Sequence, residues 1–552
     1  MDTFLQQLLQ GNAVLLMVVL GVGGGFHMGF HITGLSSPSP FIQSFINSSW
    51  ASRHGEAPPP HTTTIIWSLI VSMFAVGGLL GVLSARFMSS KLGRKKTMMC
   101  NSCISIAAAL VILTSKMFES YEMVIGARVL QGFYSGLGSC THLLYLGEIS
   151  PRKFRGVVTF TASTFTSLGK LSGQVFGLSE VLGRAELWNV LLCVPVGFSV
   201  LNLLLLPFFP EAPRYLFIEK GDDEACRSGE HRDSEHRDGE HRDSEHRDGE
   251  HRDGEHKDSE HRDSEHRDRE HRDGEHRDSE HRDREHRDAL QSLWGPGDYK
   301  EEMEEMLMEK AAMEAAPPKS PLQLLSSRTV GWALFTLFLI CGCNQMSGMS
   351  MVSTFSYDIF YKSGMPKDSI RYVTLALGVV EITTSICCGF LMEHVGRRPL
   401  FWVGYGVMAV CWVLVTVTVY FQNSAQWVPY LTSVFVITVI VFFCGGPGGG
   451  VNTLSTEIFV QSERMAAVVL VGIYRWGIFA LLGLIFPFLI ASLSSYCFLL
   501  FACWCLVGGL YSFFILPETK GKSVLQISEE FRAISLCSSA PPTDGDTFET
   551  VF

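Results

Sequence analysis

The stretch GIYRWGIFALLGLIFPFLI, from Gly472 to Ile490, decides the fold class of this chain. It is apolar almost throughout, and a helix of about this length spans close to the ~30 Å hydrocarbon core of a bilayer. Its discordant residue is Arg475. Intramembrane guanidinium groups are rare, so Arg475 marks a boundary, a structural pair or a working site.

Eleven further apolar runs of similar length follow the same pattern, centred near Gly23, Ala75, Ala108, Leu137, Leu171, Val196, Cys341, Val379, Ala409, Val439 and Val507. Only helices or closed barrels satisfy their backbone in lipid, and these runs are too long and continuous for barrel strands. The chain of 552 residues, 47% hydrophobic, therefore reads as an all-α membrane protein with twelve transmembrane helices. The N-terminus MDTFLQQLLQGN lacks the basic flank of a signal peptide, so the first run is expected to remain as a helix.

The net charge of −11 misleads. From Glu230 to Asp288 a five-residue unit, EHRD followed by Ser, Gly or Arg, recurs twelve times and carries nearly all of it. No acidic partner-binding surface follows from the total, and no nucleic-acid partner is expected. Successive histidines advance by about 140° on a helix, so no face collects them. A disordered low-complexity insert is expected, acting as a solvated spacer or as a weak proton or metal binder. A short helix is expected after it, at Tyr299–Ala316.

Most of the fifteen cysteines lie in apolar runs and read as small buried hydrophobes rather than a disulfide framework. Cys100 and Cys103 have C-x-x-C spacing but no second pair, so no metal and no cofactor is expected. No G-K-[ST] phosphate loop or nucleophile elbow supports an enzyme. The glycines of LGVGGG, VGGLLG and GFYSGLG have small-xxx-small spacing within apolar runs and suit close helix packing.

Basic residues fall in alternate short loops: KLGRKK (Lys91–Lys96), SPRKFRG (Ser150–Gly156), EHVGRRP (Glu393–Pro399) and QSERM (Gln461–Met465). The positive-inside rule makes these loops, and both termini, cytoplasmic. The 36–62 segment is then extracellular, with Asn47-Ser48-Ser49 as a glycosylation sequon at Asn47. One basic loop dissents by lying outside, YKSGMPKDSIR (Tyr361–Arg371).

The runs divide six and six, and corresponding loops match. Gly93-Arg-Lys-Lys answers Gly396-Arg-Arg-Pro, YLGEISPRKFRG (Tyr145–Gly156) answers STEIFVQSERMAA (Ser455–Ala467), and PEAPR (Pro210–Arg214) answers PETKG (Pro517–Gly521). A duplicated six-helix unit is implied, and transporters built from repeats hold substrate between their halves near the midplane. The expected organisation is a six-helix bundle at 1–210, a cytoplasmic loop at 211–327 containing the 230–288 insert, a second bundle at 328–516 and a cytoplasmic tail at 517–552.

The acidic partners in these loops suggest a conformational latch. Arg94, Arg128, Glu148, Arg155, Glu211 and Arg214 are its candidates in the first half, and Glu393, Arg397, Arg398, Glu457, Arg464 and Glu518 in the second. Exposed pairs are worth ~0–1 kcal/mol each. A clustered, partly desolvated set biases one state by a few kcal/mol. Within the apolar runs, Gln174 and the pair Asn344/Gln345 carry amides that bind a polyhydroxy solute or join helices.

The ordered set GRKK, GARVLQG, YLGEISPRKFRG, PEAPR, GRRP, TEIFVQSER and PETKGK resembles the sugar porter branch of the major facilitator superfamily. Finer details, TFTSLGKLSGQVFGL, PEAPRYLFIEKGDDEAC and GPGGGVN, look most like its class II facilitative glucose transporters. The resemblance implies two pseudo-symmetric bundles and a cytoplasmic network that closes the inside of the outward-facing state. It also implies hexose as substrate, a bilayer as environment and the plasma membrane as location.

Several departures from the family pattern cluster at its sugar site. In the seventh run Asn344, Gln345, Met346, Ser347, Gly348, Met349 and Ser350 align with Gln-Gln-Leu-Ser-Gly-x-Asn, so the first amide is shortened and the last is replaced. Ser163 stands for a common glutamine and Asn452 for a common tryptophan, while Glu381 and Arg475 align with sugar-contacting asparagines. Lys170 is another uncommon intramembrane cation. His31 occupies the place of the aspartate of proton-coupled porters and the asparagine of uniporters, and is either a weak proton sensor or a neutral hydrogen-bonding group. The expected function is facilitative uniport of glucose or fructose. An organic anion such as urate, received by Arg475 and Lys170, is the next reading, and a non-transporting sugar sensor the third. Glu381 is the expected partner of Arg475.

Overall fold

The structure is a computed structural model, and it describes residues 13–149, 155–212, 215, 304, 307–308, 311, 320–327, 330–459, 461–520, 522, 526–527 and 530. The EHRD insert and the end of the C-terminal tail lie outside the described residues. Within the helix expected at Tyr299–Ala316, Glu304, Leu307, Met308 and Ala311 are helical and exposed.

Each apolar run forms a helix. In the first half these are α1 (Ala13–Gly23) with α2 (Gly25–Thr33), α4 (Pro60–Leu92), α5 (Arg94–Met117), α6 (Tyr121–Ile149), α7 (Arg155–Phe176), and α8 (Trp188–Leu191) with α9 (Pro195–Leu205). The expected 36–62 loop is mostly a helix, α3 (Ser39–His54), which leaves Asn47 exposed. A short helix, α10 (Pro321–Ser326), leads into the second half. There the runs form α11 (Gly331–Met346) with α12 (Met349–Lys362), α13 (Lys367–Val395), α14 (Arg397–Tyr420), α15 (Val428–Gly445) with α16 (Pro447–Glu457), α17 (Gln461–Ser492) and α18 (Cys497–Phe514). Among the described residues, ten spans are long and apolar enough to cross a membrane. Helices α6 and α7, of 29 and 22 residues, take the places of the fourth and fifth runs.

Close packing explains the glycine stripes. A Cβ on Gly132 would strike the Phe74 carbonyl, so α4 and α6 meet backbone to backbone where a larger residue would hold them apart. The matching Gly-Arg turns serve a different need. Gly93 (φ +84, ψ 168) and Gly396 (φ +95, ψ 168) occupy a region of backbone space essentially restricted to glycine. Each lets the chain reverse in one residue between two antiparallel spans.

Candidate functional site

Interrupted helices place polar backbone at membrane depth. Helix α11 ends where Gly348 adopts a left-handed conformation (φ +88), and the freed groups are satisfied locally. The Ser347 hydroxyl donates to the Asn344 carbonyl at 2.6 Å, and the Trp412 indole donates to the Ser347 carbonyl at 2.8 Å. Irregular backbone is tolerated within a membrane only where protein or a polar cavity surrounds it, as here.

The amides flanking this break divide their tasks. Asn344 donates to the Pro447 carbonyl at 3.0 Å, bracing the second break between α15 and α16, so it joins helices. Gln345 accepts from Ser350 at 3.4 Å and retains 7% exposure. Gln174 is nearly buried, and its Oε1 has no protein partner among the described residues. Ser163 is half-buried in α7 and hydrogen-bonded or otherwise engaged. The side chain of Asn452 lies outside the described residues.

Glu381 does not take Arg475 as its ion partner, contrary to the sequence expectation. Its carboxylate pairs with the Lys170 ammonium at 2.6 Å, across the boundary between the halves. Helices α7 and α13 run antiparallel here, and two more polar positions flank the pair. Ser167 and Ser385 hydroxyls meet at 3.3 Å on one side. On the other, Gln174 lies over Gly378, where a Cβ would collide with its Oε1. The three rungs 167/385, 170/381 and 174/378 follow one face of each helix. That spacing was the available signal for the pairing, since residues three and four apart share a helical face.

Arg475 sits fourteen residues into α17, about 21 Å along the helix, which places it well inside the span. It is half-buried, engaged with a partner, and within electrostatic reach of Cys341 on α11.

His31 is fully buried in the first bundle rather than open to a shared cavity. The Tyr134 hydroxyl, unremarked in the sequence, hydrogen-bonds its Nε2. Arg128 packs beside it, donating to the carbonyl of Ile70 at 3.2 Å, the Gln131 side chain at 3.0 Å and the His31 carbonyl at 3.5 Å, with its guanidinium over the Phe74 ring. The placement of Arg128 in the cytoplasmic latch is therefore corrected. It lies twenty residues before Glu148 on the same helix, about 30 Å away.

At the expected cytoplasmic end the remaining candidates that are described form two clusters, alike in how Glu211 and Glu518 accept from backbone amides at the start of α5 and α14. Arg94 is bound to Glu148 at 2.7 Å, with its guanidinium over the Tyr215 ring. Glu211 accepts from the Lys95 amide at 2.9 Å, while the Lys95 ammonium donates to the carbonyls of Pro207 and Phe209. In the second half Glu518 accepts from the amides of Arg397 at 2.9 Å and Arg398 at 3.0 Å. Burial raises the Glu518 pKa, but the amides of Lys520, Arg397, Arg398 and Thr519 outweigh it and hold the carboxyl below its ordinary range. The side chains of Arg155, Glu393, Glu457 and Arg464, and all of Arg214, lie outside the described residues.

The opposite end explains the dissenting basic loop. Arg371 pairs with Glu180 of the other half at 3.0 Å and hydrogen-bonds Ser179. Nearby, the hydroxyls of Ser36 and Ser356 meet at 2.7 Å, also across the halves. The basic residue is an inter-half tie rather than an orientation signal.

Comparisons with known proteins agree with this architecture. The model of the family described as "Sugar (and other) transporter" matches residues 16–262 and 278–531. The chain is 34% identical to the human solute carrier family 2, facilitated glucose transporter member 9, over 92% of this chain and 83% of that one. It is 32% identical to the human member 11, covering 96% and 95%, and 32% identical to the horse member 5, covering 95% and 93%. In fold it is similar to the inward-open xylose transporter XylE from E. coli, with a TM-score of 0.67 at 15% identity, covering 95% of this chain and 99% of that one. Two bundles with matching Gly-Arg turns, paired carboxylate caps and a polar seam are thus set in a recognised frame, and the chain belongs to the sugar (and other) transporter family as a sugar-transporting membrane protein rather than an enzyme.

Proposed function

We propose that this protein is a facilitative uniporter of neutral hexoses, glucose or fructose, in the plasma membrane, with both termini cytoplasmic and Asn47 glycosylated. The observation that carries the reading is the Lys170–Glu381 pair, which cancels an intramembrane cation beside the uncharged acceptor Gln174. A neutral polyhydroxy solute suits this chemistry, because each hydroxyl both donates and accepts. Uniport is favoured because the first span, Ala13–Thr33, carries no carboxylate and its His31 is already hydrogen-bonded. The halves would rock about the seam, with Arg371–Glu180 tying one end and the Arg94 and Glu518 clusters stiffening the other.

Uptake of labelled glucose, fructose and urate by oocytes expressing the full chain tests this. Hexose uptake that is independent of pH and carries no proton current is expected, and uptake of urate alone would overturn it. The organic-anion reading retains one supporting observation, the half-buried Arg475 within α17. The sensor reading rests on the insert; deletion of Glu230–Asp288 with uptake unchanged would make that segment a spacer.

A further inference from the structure

The Lys170–Glu381 pair answers a question that packing does not. A buried ion pair loses about as much in desolvation as it gains in attraction, and apolar residues of similar volume commonly serve stability as well. Yet the pair sits at the centre of a polar seam between the halves, flanked by Ser167/Ser385 and Gln174/Gly378. Neither half contributes a second ion pair to these two residues among those described. The ammonium therefore depends on one carboxylate for its neutralisation.

The pair is also not sealed. The Lys170 side chain keeps 14% of its surface exposed and that of Glu381 8%, so the pair is not wholly enclosed by protein. Without Glu381, Lys170 would be an uncompensated cation at membrane depth, relieved either by loss of its proton or by a bound anion.

We infer that Glu381 is a specificity-determining residue: by sequestering the Lys170 charge, it keeps the pathway selective for neutral solutes against small organic monoanions. This rests on the neutral-sugar reading above. Glu381 contributes through Lys170, and an uncharged isostere at the same place would admit anions rather than simply weaken transport. The selectivity is a difference of affinities created by removing an attractive charge.

The test is oocyte uptake by the full chain and its variants, each normalised to surface protein, with labelled hexose and labelled urate as probes. Glu381→Gln is expected to raise urate uptake at least tenfold over the unsubstituted protein, and to make hexose uptake inhibitable by urate. Adding Lys170→Met to Glu381→Gln is expected to abolish both gains, which a merely structural role would not predict. Glu381→Gln present at the surface, carrying hexose and indifferent to urate, would overturn the inference while leaving the sugar reading intact. If Glu381→Gln fails to reach the surface, the exchanged pair Lys170→Glu/Glu381→Lys decides. Hexose uptake with urate still rejected supports the inference, and loss of either overturns it. Urate uptake without hexose uptake by the unsubstituted protein would instead strike the sugar reading itself.

Discussion

Arg94 donates twice to one oxygen of Glu148, from Nε at 2.9 Å and from Nη2 at 2.7 Å, in a pair whose side chains are only 6% and 15% exposed. Its Nη1 also donates to the Ser89 carbonyl at 3.1 Å. Three elements of the first bundle thus converge on one guanidinium: the end of α4, the start of α5 and the end of α6.

Glu148→Gln should destabilise the protein by about 1.5–3 kcal/mol, the range for hydrogen bonds to a charged group. Arg94→Lys should do nearly as much harm, because an ammonium does not reproduce the planar fork that grips the carboxylate and stacks on Tyr215. Thermal unfolding of the detergent-solubilised protein, followed by its remaining monodisperse fraction, measures both. A Glu148→Gln variant as stable as the unsubstituted chain would show that Arg94 is held by its other contacts.

The two Gly-Arg turns make a prediction about the internal repeat. Gly93→Ala and Gly396→Ala should each cost about 1–3 kcal/mol, since their backbone region is closed to alanine. The added methyl would also press on Glu211 in the first half and Glu518 in the second. Similar losses in the same melting assay are expected; a loss in one half alone would show that the halves are not energetically equivalent.

Glu518 provides a pH test. Its carboxyl is held below the ordinary range, so its contribution to stability is complete above that range and is lost as pH falls through the lowered value. Glu518→Gln should therefore lower the melting temperature at neutral pH, and the gap should close as the medium becomes acidic. A gap that stays constant with pH would point to the shape of the side chain rather than its charge.

Tyr134→Phe removes the hydroxyl that His31 Nε2 uses and leaves a buried nitrogen unpaired, at a cost of about 1–3 kcal/mol. Uptake by the unsubstituted chain should be flat between pH 6 and 8. His31→Asp would bury a carboxylate beside Arg128, where desolvation opposes its charge and the guanidinium favours it, and uptake should depend on pH. Parallel uptake at two pH values checks this, and a flat profile for His31→Asp would remove Arg128 from any role in proton response.

The fold was legible because lipid imposes so strict a requirement on backbone: every run that could span became a helix, and the Gly-Arg turns fell where the sequence placed them. The duplicated caps were readable for the same reason, as Glu211 and Glu518 repeat one local geometry. Side-chain partners across helices were less legible. Glu381 and Arg475 were matched by alignment to sugar-contacting positions, but the facing of α7 against α13 gave Glu381 to Lys170. Arg128 was drawn into the latch by its motif, although the length of α6 carries it to the far end. Interhelical facing depends on rotation and tilt, which one sequence records only as faint periodicity.

Arg475 remains the residue that made the opening stretch unusual, and its test separates folding from function. It lies too deep in α17 to mark a boundary, and a guanidinium at that depth is costly by ~2.5–3.5 kcal/mol even on the milder insertion scale. Arg475→Ala removes that cost along with the contacts that offset it, so its net effect on stability should stay within about 1 kcal/mol, the size of an ordinary substitution. Transport should respond more strongly, because the half-buried side chain carries its charge close enough to act electrostatically on Cys341 of the interrupted helix α11, which also holds Asn344 and Gln345. Surface labelling together with glucose and fructose uptake reads the two effects separately. Normal surface expression with hexose uptake changed severalfold, or with the glucose-to-fructose ratio shifted, is the expected result. Normal expression with both rates unchanged would make Arg475 a structural cation with no part in transport.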